Sequence, residues 1–182
     1  MVKALLRKLL YRIRGDYTTE TLVAMGMRVG SNFNRLHGVV LDPAHCWLIS
    51  IGDNVTLAPR VHVLAHDAST FQFLGYTRIG RVVIGNNVFI GAGTVVLPNV
   101  RIGDNVVIGA NATVSRDLPA DAVYAGNPAR RLVGIEEFLR KNREEMTTRP
   151  CFGEEYTLRG GVDRQRKQEM VDLLAEGHGY VV

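Results

Sequence analysis

Only two cysteines, Cys46 and Cys151, occur in 182 residues, and they form no CxxC pair. A disulfide framework is therefore excluded, and a reducing compartment is expected. No apolar run approaches the roughly 20 residues that span a bilayer. The N-terminus also lacks a signal-peptide apolar core and cleavage site, so the expected location is the cytoplasm. Aromatic residues make up 7% of the chain and do not interleave with basic ones. Despite a net charge of +4 and a pI near 9.3, nucleic acid is thus not the expected partner, and a small polyanion fits better.

What is present is a repeat. From Ile84 to Pro119 the chain reads IGNNVF, IGAGTV, VLPNVR, IGDNVV, IGANAT, VSRDLP without a slip. The first position holds Ile84, Ile90, Val96, Ile102, Ile108 and Val114; the fifth holds Val88, Thr94, Val100, Val106, Ala112 and Leu118. An earlier block, IGDNVT, LAPRVH, VLAHDA, begins at Ile51 and keeps the rule for its first two units. A short fixed period of this kind signals a parallel β-helix, one repeat per side of a stacked coil. Positions five and one of successive hexads lie two residues apart, so they share the inward face of a short strand. The intervening Gly-Asn and Gly-Asp pairs favour turns. Spacing does not determine handedness; the general crossover rule favours right-handed connections.

The expected organisation has three parts. Residues 1–20 contain an amphipathic helix over 2–13. Its apolar stripe is Val2, Leu5, Leu6, Leu9, Leu10 and Ile13, backed by Lys3, Arg7, Lys8, Arg12 and Arg14. Such a helix would cap the open end of a coil, or make a peripheral membrane contact through residues 1–14. Residues 21–133 form the β-helix domain, with irregular rungs over 22–50 in which Val39, Leu41, Trp47 and Ile49 keep apolar alternation. The interval from Ile51 to Ile84 is not a multiple of six, so a loop leaves the coil at about 67–83. Residues 134–182 are a C-terminal extension, with helices over 135–146 and about 162–176. The first is supported by the pairs Glu136–Arg140 and Glu137–Lys141.

Taken together, IGDNVTLAP, the histidine in VLAHDAS, LGYTRIG, and IGNNVFIGAG through VSRDLPADAVYAGNPARRL resemble the hexapeptide-repeat acyltransferases. With LDPAHCWLISIGDN and RPCF, the pattern is most similar to bacterial sugar and polysaccharide O-acetyltransferases. That resemblance implies a left-handed β-helix, usually a homotrimer, with acetyl-coenzyme A lying in a groove between neighbouring coils. It also implies an O-acetyltransferase whose acceptor is a sugar or polysaccharide precursor.

The chemistry needs a base, because a sugar hydroxyl attacks a thioester only as its proton is withdrawn. Histidine suits that task, with an ordinary pKa near 6.5. His66 is the candidate: it stands at a corner position directly before the loop, in the place of the family's catalytic histidine. Asp42 is the candidate partner fixing its tautomer, set against a turn-forming role before Pro43. His45, Asp67 and Tyr76 are candidate acceptor contacts, and Phe71 and Phe73 could stack on a sugar ring. For coenzyme A, Gly91, Ala92, Gly109 and Ala110 offer small side chains for the pantetheine arm. Ser115, Arg116, Arg130 and Arg131 suit the nucleotide end, where Pro128 shapes the exit. Many family members carry Thr-Lys where this chain has Ser115-Arg116, which preserves hydroxyl and charge.

No resident metal is expected. The carbonic anhydrases built on this coil need three histidines around zinc, whereas here His62 and His66 are four apart and the later rungs have none. The remaining alternatives are N-acetylation of an amino sugar or antibiotic, and a non-catalytic scaffold.

Overall fold

The computed structural model describes residues 17–182, so the expected helix over 2–13, with its capping or membrane role, lies outside the described residues. Two compact units follow one another in the chain, the first ending at Ile135 and the second covering Glu136–Val182.

The first unit is a coil with three faces. Face one stacks Arg28–Val29, Ile49–Ile51, Val82–Ile84 and Val100–Ile102. Face two stacks Asn34–Arg35, Val55–Leu57, Val88–Ile90, Val106–Ile108 and Ala122–Ala125, and ends on Arg130–Gly134. Face three stacks Val40–Leu41, His62–Val63, Val95–Val96 and Thr113–Val114. Every pairing within these faces is parallel except the last on face two, where Arg130–Gly134 runs back antiparallel and closes that end. All twelve first- and fifth-position residues named above are buried, Thr94 included, whose hydroxyl donates to the Gly109 carbonyl at 3.1 Å. Alternation along two- and three-residue strands is enough to direct these side chains inward.

A column of amides indexes the turns between faces one and two. Asn32, Asn54, Asn87, Asn105 and Asp121 all adopt positive φ, between 52° and 59°. Each of the four asparagines donates its side-chain N–H to the next residue up the column, at 2.9, 3.0, 3.0 and 2.7 Å. Asparagine tolerates the left-handed conformation and supplies a donor and an acceptor at once, which is why the fourth hexad position selects it here. Rung-to-rung approach also explains a glycine: a Cβ on Gly91 would stand 2.5 Å from the Ala110 backbone nitrogen.

Several details depart from the sequence reading. Residues 22–27 are not a rung; a short helix α1 covers Thr19–Ala24, capped by Thr18, whose hydroxyl accepts from the Thr21 N–H. Val39, Leu41 and Ile49 are buried, but Trp47 is 51% exposed, because Cys46–Leu48 form a 3-10 turn that breaks the alternation. The segment between His66 and Ile79 is an organised excursion. His66–Asp67 pair antiparallel with Arg78–Ile79, a 3-10 turn covers Ala68–Thr70, and helix α2 covers Phe71–Leu74. The chain has rejoined face one by Val82. No helix among the described residues is long and apolar enough to cross a membrane.

Helix α3 (Ile135–Met146) begins on the last residue of the first unit, and in the second unit it is followed by Cys151–Phe152, which pair in parallel with Tyr180–Val181. Between those strands lies helix α4 (Arg164–Leu173), capped by Asp163. On α3, Glu137 pairs with Lys141 at 2.8 Å, but Arg140 pairs with Glu144 at 2.7 Å, not with Glu136. Glu145 accepts from His178 at 2.9 Å and from the Tyr180 hydroxyl at 3.0 Å. These bonds, His178 first, hold its carboxyl below the ordinary 4.5 of a glutamate. A depressed folded-state pKa contributes stability that is present above the unfolded value and lost as pH falls through the folded one. We therefore expect the tail strand to loosen on acidification below pH 4.5. Amide exchange at Tyr180 should report this, with the acid step absent in Glu145→Gln.

Candidate active site

The register of the coil shows where the site comes from. Val95 pairs with Thr113, three hexads further along, which is one full turn. Val40, however, pairs with His62, four positions beyond a full turn, and His62 pairs with Val95, fifteen positions beyond one. Both sets of extra residues leave the coil at one corner, where face three passes into face one. The shorter insertion lies between Leu41 and Ile49, and the longer between Val63 and Val82. Stacked on each other, they carry Asp42 and His45 on one rung and His66 and Asp67 on the next.

Asp42 is 1% exposed, and three donors converge on it. Oδ1 accepts the Ala44 N–H at 3.0 Å; Oδ2 accepts the Ala65 N–H at 2.9 Å and His66 Nδ1 at 2.5 Å. An oxygen that already accepts a backbone N–H is placed to accept again, so His66 carries its proton on Nδ1 and presents the lone pair of Nε2. The His66 side chain is 36% exposed, whereas that of Asp42 is 0% exposed. One partner is locked in and the other is reachable. The His66–Asp67 hairpin base, together with the Gly80 N–H bonded to the Ala65 carbonyl at 3.0 Å, fixes the backbone on either side of the imidazole.

His45 packs its ring between those of Trp47 and His66, with centroids 5.4 and 5.3 Å away. Its Nδ1 is buried without a hydrogen-bond partner. Asp67 caps the following 3-10 turn: its carboxyl accepts the Ser69 N–H at 2.9 Å, which lowers its pKa, and Arg78 lies 3.9 Å away. Tyr76 projects from the excursion, 79% exposed, beside Phe73 at 84%.

The candidate coenzyme A residues do not share one surface. Leu64 N–H bonds to the Val96 carbonyl and Leu97 N–H to that of Val114, so Ser115 and Arg116 follow His66 up the same corner, two rungs on. Gly91, Ala92, Gly109 and Ala110 lie at a different corner, between faces two and three, with the Gly91 N–H bonded to the Ile108 carbonyl. Arg130 and Arg131 sit on the closing antiparallel strand of face two, past the cis peptide at Pro128. Arg116 instead shares a concavity of about 530 Å³ with Ser115, Arg81, Arg101 and Asp117. Among the described residues none of these three guanidinium groups has an ion-pair partner. Arg81 and Arg101 escaped the sequence reading; for Arg101 the outward sixth hexad position in VLPNVR was the available signal, whereas Arg81 precedes the unbroken repeat. This free charge, beside a serine hydroxyl, matches what phosphates require.

Residues 81–116 match the bacterial transferase hexapeptide family (six repeats). The chain is 36% identical over 121 residues to the putative acetyltransferase YvoF of Bacillus subtilis, covering 65% of this chain and 68% of that protein. It belongs to the hexapeptide-repeat transferase family. Protein CapG of Staphylococcus aureus is 43% identical over 99 residues, covering 52% of this chain and 58% of its own length, so the chain spans little more than half of that relative. Among solved structures, a galactoside acetyltransferase in complex with coenzyme A superposes with a TM-score of 0.58 at 33% identity, covering 63% of this chain and 58% of that one. With such neighbours, the parallel coil fits the left-handed form implied by the family resemblance, not the right-handed one favoured by the general crossover rule.

Proposed function

We propose that this protein is an acetyl-coenzyme A-dependent O-acetyltransferase acting on a hydroxyl of a sugar or polysaccharide precursor. The observation that carries the reading is a half-exposed His66 held by the buried Asp42 at 2.5 Å. In this mechanism, Nε2 of His66 takes the acceptor's hydroxyl proton as the oxygen attacks the thioester carbonyl. The tetrahedral intermediate then collapses, the C–S bond breaks, and the imidazolium returns that proton to the departing thiolate. Asp42 keeps the proton of Nδ1 in place throughout, so the basic nitrogen always faces the substrate.

Coenzyme A is supported by the solved relative that holds it and by the guanidinium groups of Arg81, Arg101 and Arg116 beside Ser115, two of the family's expected contact positions among them. The small residues at the other corner belong to the same ligand if a second copy brings that corner alongside the first. This favours a homotrimer in which each cleft joins two chains. The exposed Phe73 and Tyr76 of the excursion, with His45 and Asp67, are the proposed acceptor contacts. We assign residues 21–133 and 134–182 as catalytic coil and helical extension, in a cytoplasmic protein.

The test is release of free thiol from acetyl-coenzyme A by the full chain, screened against sugars, amino sugars and serine. Release that depends on a sugar hydroxyl and yields a hydroxylamine-labile ester is the expected result. Release with amines alone would move the assignment to N-acetylation. Failure to bind coenzyme A in calorimetry would leave a non-catalytic coil.

A further inference from the structure

We infer that Asp42, His45 and His66 form a binding site for a divalent transition metal ion such as Zn²⁺, whose occupancy switches the transfer reaction off. One ligand atom from each of the three lies within 4.8 Å of the other two. Ligand atoms around tetrahedral zinc, bound at about 2.0–2.1 Å, stand roughly 3.4 Å apart, within the span of this cluster. An ion shared by Asp42 Oδ2 and His66 Nδ1 would replace the proton now between them and part them slightly. Among the described residues no other such group of three occurs.

The buried, unpartnered Nδ1 of His45 is a second and independent sign. A buried polar atom without a partner is destabilising unless something meets it. Nothing in the proposed transfer step uses that nitrogen. Its surroundings are fixed: the His45 carbonyl accepts the Leu48 N–H at 2.9 Å, and the ring is wedged between Trp47 and His66. Asp42 is already oriented by the Ala44 and Ala65 N–H groups, the kind of outer support that positions a metal ligand. Two imidazoles and one carboxylate suit zinc, nickel, copper or iron, and not magnesium or calcium, which prefer all-oxygen shells. Three protein ligands leave a fourth tetrahedral position for water.

The consequence for chemistry does not depend on which nitrogen of His66 binds. A neutral imidazole has a single lone pair, and coordination uses it. None then remains to accept the proton of a hydroxyl, and removing the ion restores it. This part rests on the function proposed above; the binding itself does not.

Equilibrium dialysis of the full chain against micromolar Zn²⁺ tests the site, with Co²⁺ as a visible-absorption probe and circular dichroism checking the fold of each variant. One zinc per chain is expected, retained in His37→Ala, Cys151→Ser and His178→Ala, each of which removes an exposed alternative. In His45→Gln and His66→Gln, affinity should fall by roughly tenfold or more, as loss of a ligand costs at least what loss of an outer partner does. No stoichiometric uptake, or uptake lost with His37, Cys151 or His178 and kept without His45, would overturn the site. In the thiol-release assay, zinc should inhibit and a chelator restore. Bound zinc with transfer undiminished would overturn the switch. A chain with no transfer activity at all would still be judged by dialysis.

Discussion

Replacing His66 with alanine should lower acetyl transfer at least ~100-fold, the smaller end of what a general base contributes. The coil should survive it, because His66 is not one of the buried residues that fill the coil; its side chain is 36% exposed. The Nδ1 bond to Asp42 is lost, but Asp42 keeps the Ala44 and Ala65 N–H groups. Coenzyme A affinity should stay close to that of the unaltered chain, since Ser115 and Arg116 lie two rungs away. The decisive measurement is thiol release at saturating acetyl-coenzyme A, with thermal unfolding of the same sample alongside. Transfer that persists in a folded His66→Ala protein would remove this imidazole from the mechanism.

Asp42 should show two effects that His66 does not combine. In Asp42→Ala the Ala44 and Ala65 N–H groups and His66 Nδ1 all lose their acceptor in a site that is 1% exposed. Leaving the buried Ala65 N–H unmet should cost about 1–3 kcal/mol of stability, read as a fall in the unfolding midpoint, whereas the exposed Ala44 can turn to water. Asp42→Asn is the more informative change. Its shape is conserved, but an amide turned toward His66 donates where the carboxylate accepted, and the imidazole answers by moving its proton to Nε2. The lone pair then points at the introduced amide and away from the acceptor. Turnover should fall by roughly 10² to 10⁴, the range expected when a base is held in the wrong tautomer. The unfolding midpoint should fall too, since the amide nitrogen that faces His66 also opposes the Ala65 N–H. Equal activity of Asp42→Asn and the parent chain would show that the orientation of His66 is set elsewhere.

The hexads made the coil legible because each turn from Ile84 onward repeats the same geometry, and twelve positions read as inward are buried. The corner carrying the candidate site was harder to read. Its rungs are offset by two unequal intervals, neither a multiple of six, so spacing no longer says which residue lies above which. Asp42 and His66 are 24 positions apart in the chain, and only the family resemblance suggested that they meet. The 3-10 turn at Cys46–Leu48 turned Trp47 outward against the local apolar alternation, since extra residues had to fit into one corner. Likewise, Gly91 read as a candidate ligand contact, and close approach to Ala110 accounts for it without one. The unpaired Arg81 and Arg101 converge on Arg116 through stacking of rungs, which no single hexad reveals.

Confining both insertions to one edge has a further result. The amide column from Asn32 to Asp121 counts off the turns at a separate edge, so lengthening or trimming the hairpin beyond His66 slides no strand out of alignment. On the proposed chemistry, acceptor preference is therefore free to drift by exchange of appendages while the frame stays unchanged. A transplanted strap joined at Asp67 and Arg78 would inherit the same base and the same carboxyl beneath it.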